Sequence, residues 1–195
     1  MIPIADVIYL RSYDDRSRSD DESARKVMEA TVELLREVPY SSVTLWSIAK
    51  RASVAHREVL THFRSKDAIV AEVCLKRLRA APLILDVEQA AQERIAAQFS
   101  LLVMLLADEP GLAAACSSAL ICDDPSVRSV QQRVHAELRR RVRTALRSGA
   151  WPEVTETVEF GLIGALVHAS CGGDRFRRTA DELAGVVAVV LPDGR

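Results

Sequence analysis

An all-α fold is what the sequence predicts, with a three-helix, helix-turn-helix unit near the N-terminus followed by a larger helical domain. Three observations carry that prediction. Of the 195 residues 49% are apolar but only 5% aromatic, and this balance, rich in Ala, Leu, Val and Arg, suits helices better than a β-sandwich. Apolar residues recur at intervals of three and four, the period of a helix with one buried face. No strand pattern of useful length and no internal repeat interrupts them. A chain of this length suits one or two domains and can bury a substantial core.

Residues 1–21 read as a flexible tail, because Ser12 to Asp21 is a mixed-charge, Ser-rich run with little to bury. Arg16 and Arg18 are candidates for a basic arm, opposed by Asp14, Asp15, Asp20 and Asp21. Residues 22–80 form the first domain. Its opening helix is expected from Ser23 to Val38, with Val27, Ala30, Thr31, Leu34, Leu35 and Val38 inward and acids at 20–22 facing the positive end of the helix dipole. Pro39-Tyr40-Ser41-Ser42 ends it.

Thr44 is a good N-cap for a second helix, in which Leu45, Ile48, Ala49 and Ala52 make a narrow apolar face. Ala52-Ser53-Val54 is the turn. From Ala55 to Phe63, Val59 and Phe63 point one way, and His56, Arg57, Leu60 and Thr61 the other. A short helix showing His, Arg and Thr outward, braced across a tight turn, suits insertion into a DNA major groove. Ser65 caps a fourth helix, Lys66 to about Ala81, stopped by Pro82.

Tyr40, Thr44, Leu45, Ile48, Ala49, Ala52, Val54, His62, Phe63, Ser65, Lys66 and Asp67 stand in an order and spacing that resembles the helix-turn-helix domain of the TetR family of bacterial transcription regulators. The direct resemblance covers roughly residues 24 to 78. Pro39 and Ser53 stand where the family usually has Gly, so a non-Gly residue at positive φ is expected at the turn. Ala55 replaces the usual Ser or Thr cap, and Leu60 replaces a Tyr that touches a phosphate in relatives.

Arg57 is the first candidate for base reading, since a guanidinium can bind O6 and N7 of guanine together. His56 and Thr61 flank it, and Glu58, at the edge of that face, is expected to pair with Arg57 or Arg51, the alternative being to accept from cytosine N4. Thr44, His62 and Lys66 suit phosphate contacts that position the protein without reading sequence. Trp46 lies beside the apolar stripe of the second helix, at the edge of the DNA-facing surface or partly in the core, and Leu60 completes that surface.

The chain carries 26 basic and 27 acidic residues. From Ser42 to Ala80 there are eight basic residues against three acidic, and from Ala81 onward twelve against fifteen. A basic module on an acidic body is the footprint of a DNA-binding head with a different partner elsewhere.

Residues 81–195 read as helices near 87–107, 112–121, 126–148, 153–169 and 181–190. By the resemblance, this half binds an effector and dimerises. The residues chosen for an effector pocket are Phe99, Met104, Cys116, Leu120, His135, Trp151 and His168, large apolar or switchable polar groups of the kind that line ligand cavities. Val158, Gly161, Leu162 and Ala165, with Leu183, Val186, Val187 and Val190, make two apolar surfaces expected to pair with their copies. Arg139, Arg140, Arg141, Arg143 and Arg147 are expected to cover an exposed helix face.

Cys74, Cys116, Cys122 and Cys171 lack metal-ligand spacing and read as buried thiols of a reducing cytoplasm. Residues 1–10 make a poor signal peptide, and no apolar run approaches the ~20 residues of a membrane span. There is no GxSxG, no HExxH and no Gly-rich phosphate loop, so neither an enzyme nor a bound metal or cofactor is expected. The expectation is a cytoplasmic, homodimeric, ligand-responsive repressor. Its partners are a palindromic double-stranded DNA operator and a small hydrophobic or amphipathic effector of unknown identity, with no membrane. The alternatives are a helical ligand-binding or protein-interaction module with weakened DNA binding, and a thiol-based redox sensor working through Cys116 and Cys122.

Overall fold

The computed structural model describes residues 4–83, 88–147, 151–170 and 175–191, with side chains from residue 21 onward. Among the described residues the secondary structure is helical: α1 (Ile4–Glu37), a 3-10 turn (Tyr40–Ser42), α2 (Leu45–Ala52), α3 (His56–His62), α4 (Lys66–Ala80), α5 (Ala91–Met104), α6 (Pro110–Ile121), α7 (Arg128–Leu146), α8 (Pro152–Ala169) and α9 (Arg175–Val190). No helix among them is long and apolar enough to cross a membrane.

Two boundaries differ from expectation. Helix α1 begins at Ile4, where the sequence predicts a tail to residue 21. No Gly or Pro interrupts the chain from Ile4 to Glu37, so the polar composition read as disorder is compatible with a helix continuous with the packed part. Helix α9 begins at Arg175, six residues before its expected start. Phe176, Thr179 and Ala180 are buried and extend the inward stripe of Leu183 and Val187 back by two turns. Cys171 and Gly172-Gly173 lie outside the described residues.

The head is α1, α2 and α3 packed around Val27, Leu34, Ile48 and Val59. The body is α5 to α9, in which α9 lies against α5 and α8, and α7 against α5 and α8. Helix α4 belongs to both. It is apolar nearly all round, with Ile69, Val70, Ala71 and Leu75 at 1% exposure or less, because α1, α6 and α7 surround it.

Polar contacts pin α4 along its whole length. At its start, the Ser65 and Ser126 hydroxyls lie 2.8 Å apart. Further along, Arg133 of α7 pairs with Glu72. Glu109, at the start of α6, accepts from Arg77 at 3.0 Å and from Arg36 of α1 at 2.5 Å. At its end, Arg141 of α7 donates to the carbonyls of Leu78, Ala81 (2.8 Å) and Pro82 (3.1 Å), while its Nε holds Glu137 at 2.8 Å.

Arg141 is only 1% exposed, which corrects its place in the expected surface run. The guanidinium is buried because the last turn of a helix leaves carbonyls without intrahelical donors and carries partial negative charge. Arg139 and Arg140 do reach the surface, each paired with an acid, Glu159 and Glu137 respectively.

Candidate nucleic-acid interface

The geometry of the outer face of the head begins with two helix caps. The Thr44 hydroxyl accepts from the Ser47 amide at 3.1 Å, and Ser47 Oγ accepts from the Thr44 amide at 3.0 Å, a reciprocal capping box that fixes where α2 starts. Ser53 ends α2 at φ 54°, ψ 37°, the left-handed conformation expected of the residue replacing Gly, at a cost of about 1 kcal/mol. Ala55 gives α3 no side-chain cap, also as expected.

Helix α3 is anchored by Val59 (0% exposed) and Phe63 (7%), leaving His56, Arg57, Leu60 and Thr61 exposed on the opposite side. Glu58 pairs with neither Arg57 nor Arg51. It accepts from the Ser23 hydroxyl at 2.5 Å and ties α3 to α1. Arg51 instead grips Glu37 with two bonds of 2.8 and 2.5 Å. Arg57 makes no ion pair among the described residues, so its charge faces outward uncompensated. Thr61 donates its proton to the Glu58 carbonyl at 2.6 Å, which leaves its methyl and lone pairs for a partner.

Trp46 is 64% exposed, so the partial-core alternative does not hold. Lys50, one turn on, places Nζ 5.4 Å from the indole centroid. The pair makes a flat cationic edge beside the α3 face. Lys50 was absent from the expected contacts, although its i+4 relation to Trp46 was visible in the sequence.

Two expected phosphate contacts are engaged elsewhere. Lys66 donates to the carbonyls of Tyr40 (2.9 Å) and Val43 (3.0 Å), with Nζ 4.3 Å over the Tyr40 ring. Two of its three N–H bonds therefore hold the loop before α2, and one is left for DNA. The Tyr40 hydroxyl donates to Asp67 at 2.5 Å. Burial and that carboxylate push the phenol well above its usual range, so it stays a donor. His62 leans toward Phe63, and its Nε2 is buried without a partner, not turned to solvent.

Residues 27–73 match the model of the bacterial regulatory proteins, tetR family. An HTH-type transcriptional regulator of Mycobacterium tuberculosis is 37% identical over 178 residues, covering 90% of this chain and 84% of its own. The chain belongs to the TetR family. Among solved structures, a TetR transcriptional regulator from Rhodococcus sp. RHA1 superposes with a TM-score of 0.74 at 15% identity, over 89% of this chain and 98% of that one. The TetR-family repressor FadR of Thermus thermophilus, solved with lauroyl-CoA, gives 0.69 at 15% identity, over 88% and 96%. The protein is thus a DNA-binding transcription regulator, and the Tyr40–Lys66–Asp67 contacts lie within the stretch that matches the family model.

In the TetR body, the expected effector residues separate. Cys116 and Leu120 line a narrow cavity of about 30 Å³ together with Cys74, Leu102, Leu166 and Phe176. Phe99 is core (1% exposed), Met104 and Trp151 are exposed (37% and 68%), His135 sits 3.4 Å from Glu159, and exposed His168 lies 3.2 Å from the Thr179 hydroxyl. These five do not line that cavity, because residue type marks a capacity to line a pocket and says nothing of the direction a side chain faces.

Cys74, Cys116 and Cys122 are all free thiols. Cys116 faces Cys74, and that neighbour together with burial pushes its thiol well up, away from the reactive thiolate.

The expected dimer face also divides. Val158, Leu162, Leu183 and Val187 are buried in the monomer's own core, and Gly161 faces Leu183 across the α8–α9 contact. Ala165 and Val190 are partly covered, leaving Val186 as the exposed member (51%). The apolar positions open to a partner are instead Phe160 (71%) on α8, and Val186 and Val189 (82%) on α9. Gly164 and Gly185 stand beside them with nothing within 4 Å of an added Cβ.

Proposed function

We propose that this TetR-family regulator is a homodimeric repressor that binds a palindromic operator and is released from it by a small apolar or amphipathic ligand. What supports this most directly is the exposed His56-Arg57-Thr61 face of α3, flanked by Trp46 and Lys50, on a unit fixed to α4. Arg57 reads a base edge, while Lys50, the Thr44 region and the remaining Lys66 proton take phosphates. Pairing of α8 and α9 through Phe160, Val186 and Val189 sets two copies of α3 about 34 Å apart, one helical turn of DNA.

Helix α4 is the lever in this reading. Its start carries the head and its end is held by Arg141 of α7, which donates to the carbonyls of Ala81 and Pro82. A ligand that parts α4 from α6 and α7 favours a head separation that no longer fits successive major grooves. The shift can be no larger than the ligand's differential affinity for the two arrangements.

The test is fluorescence anisotropy with duplexes from the DNA upstream of the protein's own coding region, against scrambled duplexes, across salt. Six to eight phosphate contacts per dimer predict a loss of affinity on the order of 10³ between 50 and 200 mM salt. A flat salt response, or equal affinity for scrambled DNA, sinks the reading.

A further inference from the structure

We infer that Glu109 gates a binding site for an anionic amphiphile, a long-chain carboxylate whose charged end takes Arg77 and whose hydrocarbon enters the cavity between α4 and α6. This rests on the body being the ligand-binding half. An open groove of about 390 Å³ runs between α1 and α4 over an apolar floor that includes Met28, Val32, Val73 and Ala80. The narrow cavity of about 30 Å³ lies inside, walled by leucines, Cys74 and Cys116. Arg77 lines both spaces. Its Nη2 donates to both oxygens of Glu109, at 3.2 and 3.0 Å, so the one guanidinium that borders both spaces is held by this carboxylate.

The charges at the groove select the sign of the ligand. Of the acids on its rim, Glu29 is paired with Arg25 at 2.8 Å and Glu33 with Arg51 at 3.6 Å. Of the three cations along the groove, Arg36 and Arg77 share the single carboxylate of Glu109, and Lys76 lines the groove beside them. An incoming carboxylate replaces Glu109 on Arg77 while Arg36 retains Glu109, so neither charge is left bare during the exchange. An apolar cavity beside an excess of positive charge matches a ligand with one anionic end. The cavity now has room for about one water, and Leu102, Leu106 and Leu166 must part to admit a tail.

The test is titration calorimetry on the full chain without DNA, so that failure here leaves the operator reading standing. The probes are octanoate, decanoate and dodecanoate below their micellar concentrations, with dodecan-1-ol as the uncharged control. Affinity is expected to rise about fourfold per methylene carried into the cavity, and dodecan-1-ol to bind at least tenfold more weakly than dodecanoate. Arg77→Gln should weaken dodecanoate tenfold or more. Glu109→Gln, which removes the competing charge but keeps the side-chain shape, should tighten it several-fold. Should Arg77→Gln melt early, Glu109→Gln alone decides. Absence of binding, equal binding of alcohol and carboxylate, or no tightening in Glu109→Gln overturns the proposal.

Discussion

Gly111, on the first turn of α6, lies against the carbonyl oxygen of Leu35 on α1, so closely that an added Cβ would sit 2.2 Å from that oxygen. Backbone meets backbone there, and no side chain can rotate away. Body and head are thereby in direct register, with the Arg36–Glu109 pair beside the contact. Gly111→Ala should force α6 off α1 and cost about 1–3 kcal/mol. For a chain of this size that is a fall of about 2–4 °C in melting temperature per kcal/mol, with operator affinity reduced as well. An unchanged melting curve would show that α6 moves without cost.

Arg57 and Lys66 should behave differently on substitution. Arg57 is exposed and unpaired, so Arg57→Ala should leave stability within about 0.5 kcal/mol and lower discrimination at one base position by about 1–3 kcal/mol. Lys66 holds two carbonyls of the head. Lys66→Met should lower the melting temperature and weaken every DNA sequence alike. Melting curves beside binding to operator and scrambled duplexes separate the two; a loss of discrimination in Lys66→Met would reverse the roles.

Removing Arg141 strands several groups at once. Arg141→Met leaves the carbonyls of Leu78, Ala81 and Pro82 short of donors and takes from Glu137 its buried partner. The expected cost is about 3–5 kcal/mol. Adding Glu137→Leu should recover part of it, since the acid no longer needs the missing charge. Chemical denaturation of Arg141→Met, Glu137→Leu, the double variant and the wild type reads the coupling; strictly additive costs would mean the pair is not one unit.

Acid should weaken the same junction. Hydrogen bonds from Arg140 and Arg141, set against the opposing pull of burial, hold the Glu137 carboxyl below its ordinary value. A carboxylate with a depressed folded-state pKa adds stability that is complete above its unfolded value, near 4.3, and is lost as pH falls through the folded value. Stability should therefore decline below about pH 4, and by less in Glu137→Gln. Equal acid sensitivity in both would place the effect elsewhere.

The dimer face can be tested away from the core. Val189→Asp introduces a charge at an 82% exposed position, so the monomer fold should survive with unchanged helix content. Sedimentation should show dissociation to monomer, and operator binding should lose its dimeric cooperativity. Leu162→Asp, at a fully buried site, should unfold the chain instead. A dimeric Val189→Asp protein would move the interface.

The head was legible because its signals are local. Thr44, Ser53 and Ser65 act within one turn of chain, and their cap and turn geometry follows from residue type at fixed spacing. The outward side of α3 followed from period alone, since Val59 and Phe63 define the inward side. In the body, α8 is apolar around most of its circumference, and periodicity cannot say which apolar stripe meets the monomer's own core. Leu162 and Phe160 are alike in composition yet 0% and 71% exposed.

Charged groups marked the same limit. An arginine run reads as a solvated face, but Arg141 is turned inward because α7 happens to cross the open carbonyls at the end of α4. The sequence by itself determined the helical class, the cap at Thr44, the turn at Ser53 and which side of α3 is exposed, through interactions reaching only a few residues along the chain. The tertiary structure alone decided which acid holds Arg77, which thiol faces Cys116 and where Lys66 spends its protons. Those partners lie tens of residues away, and only packing chooses among groups of equal chemistry.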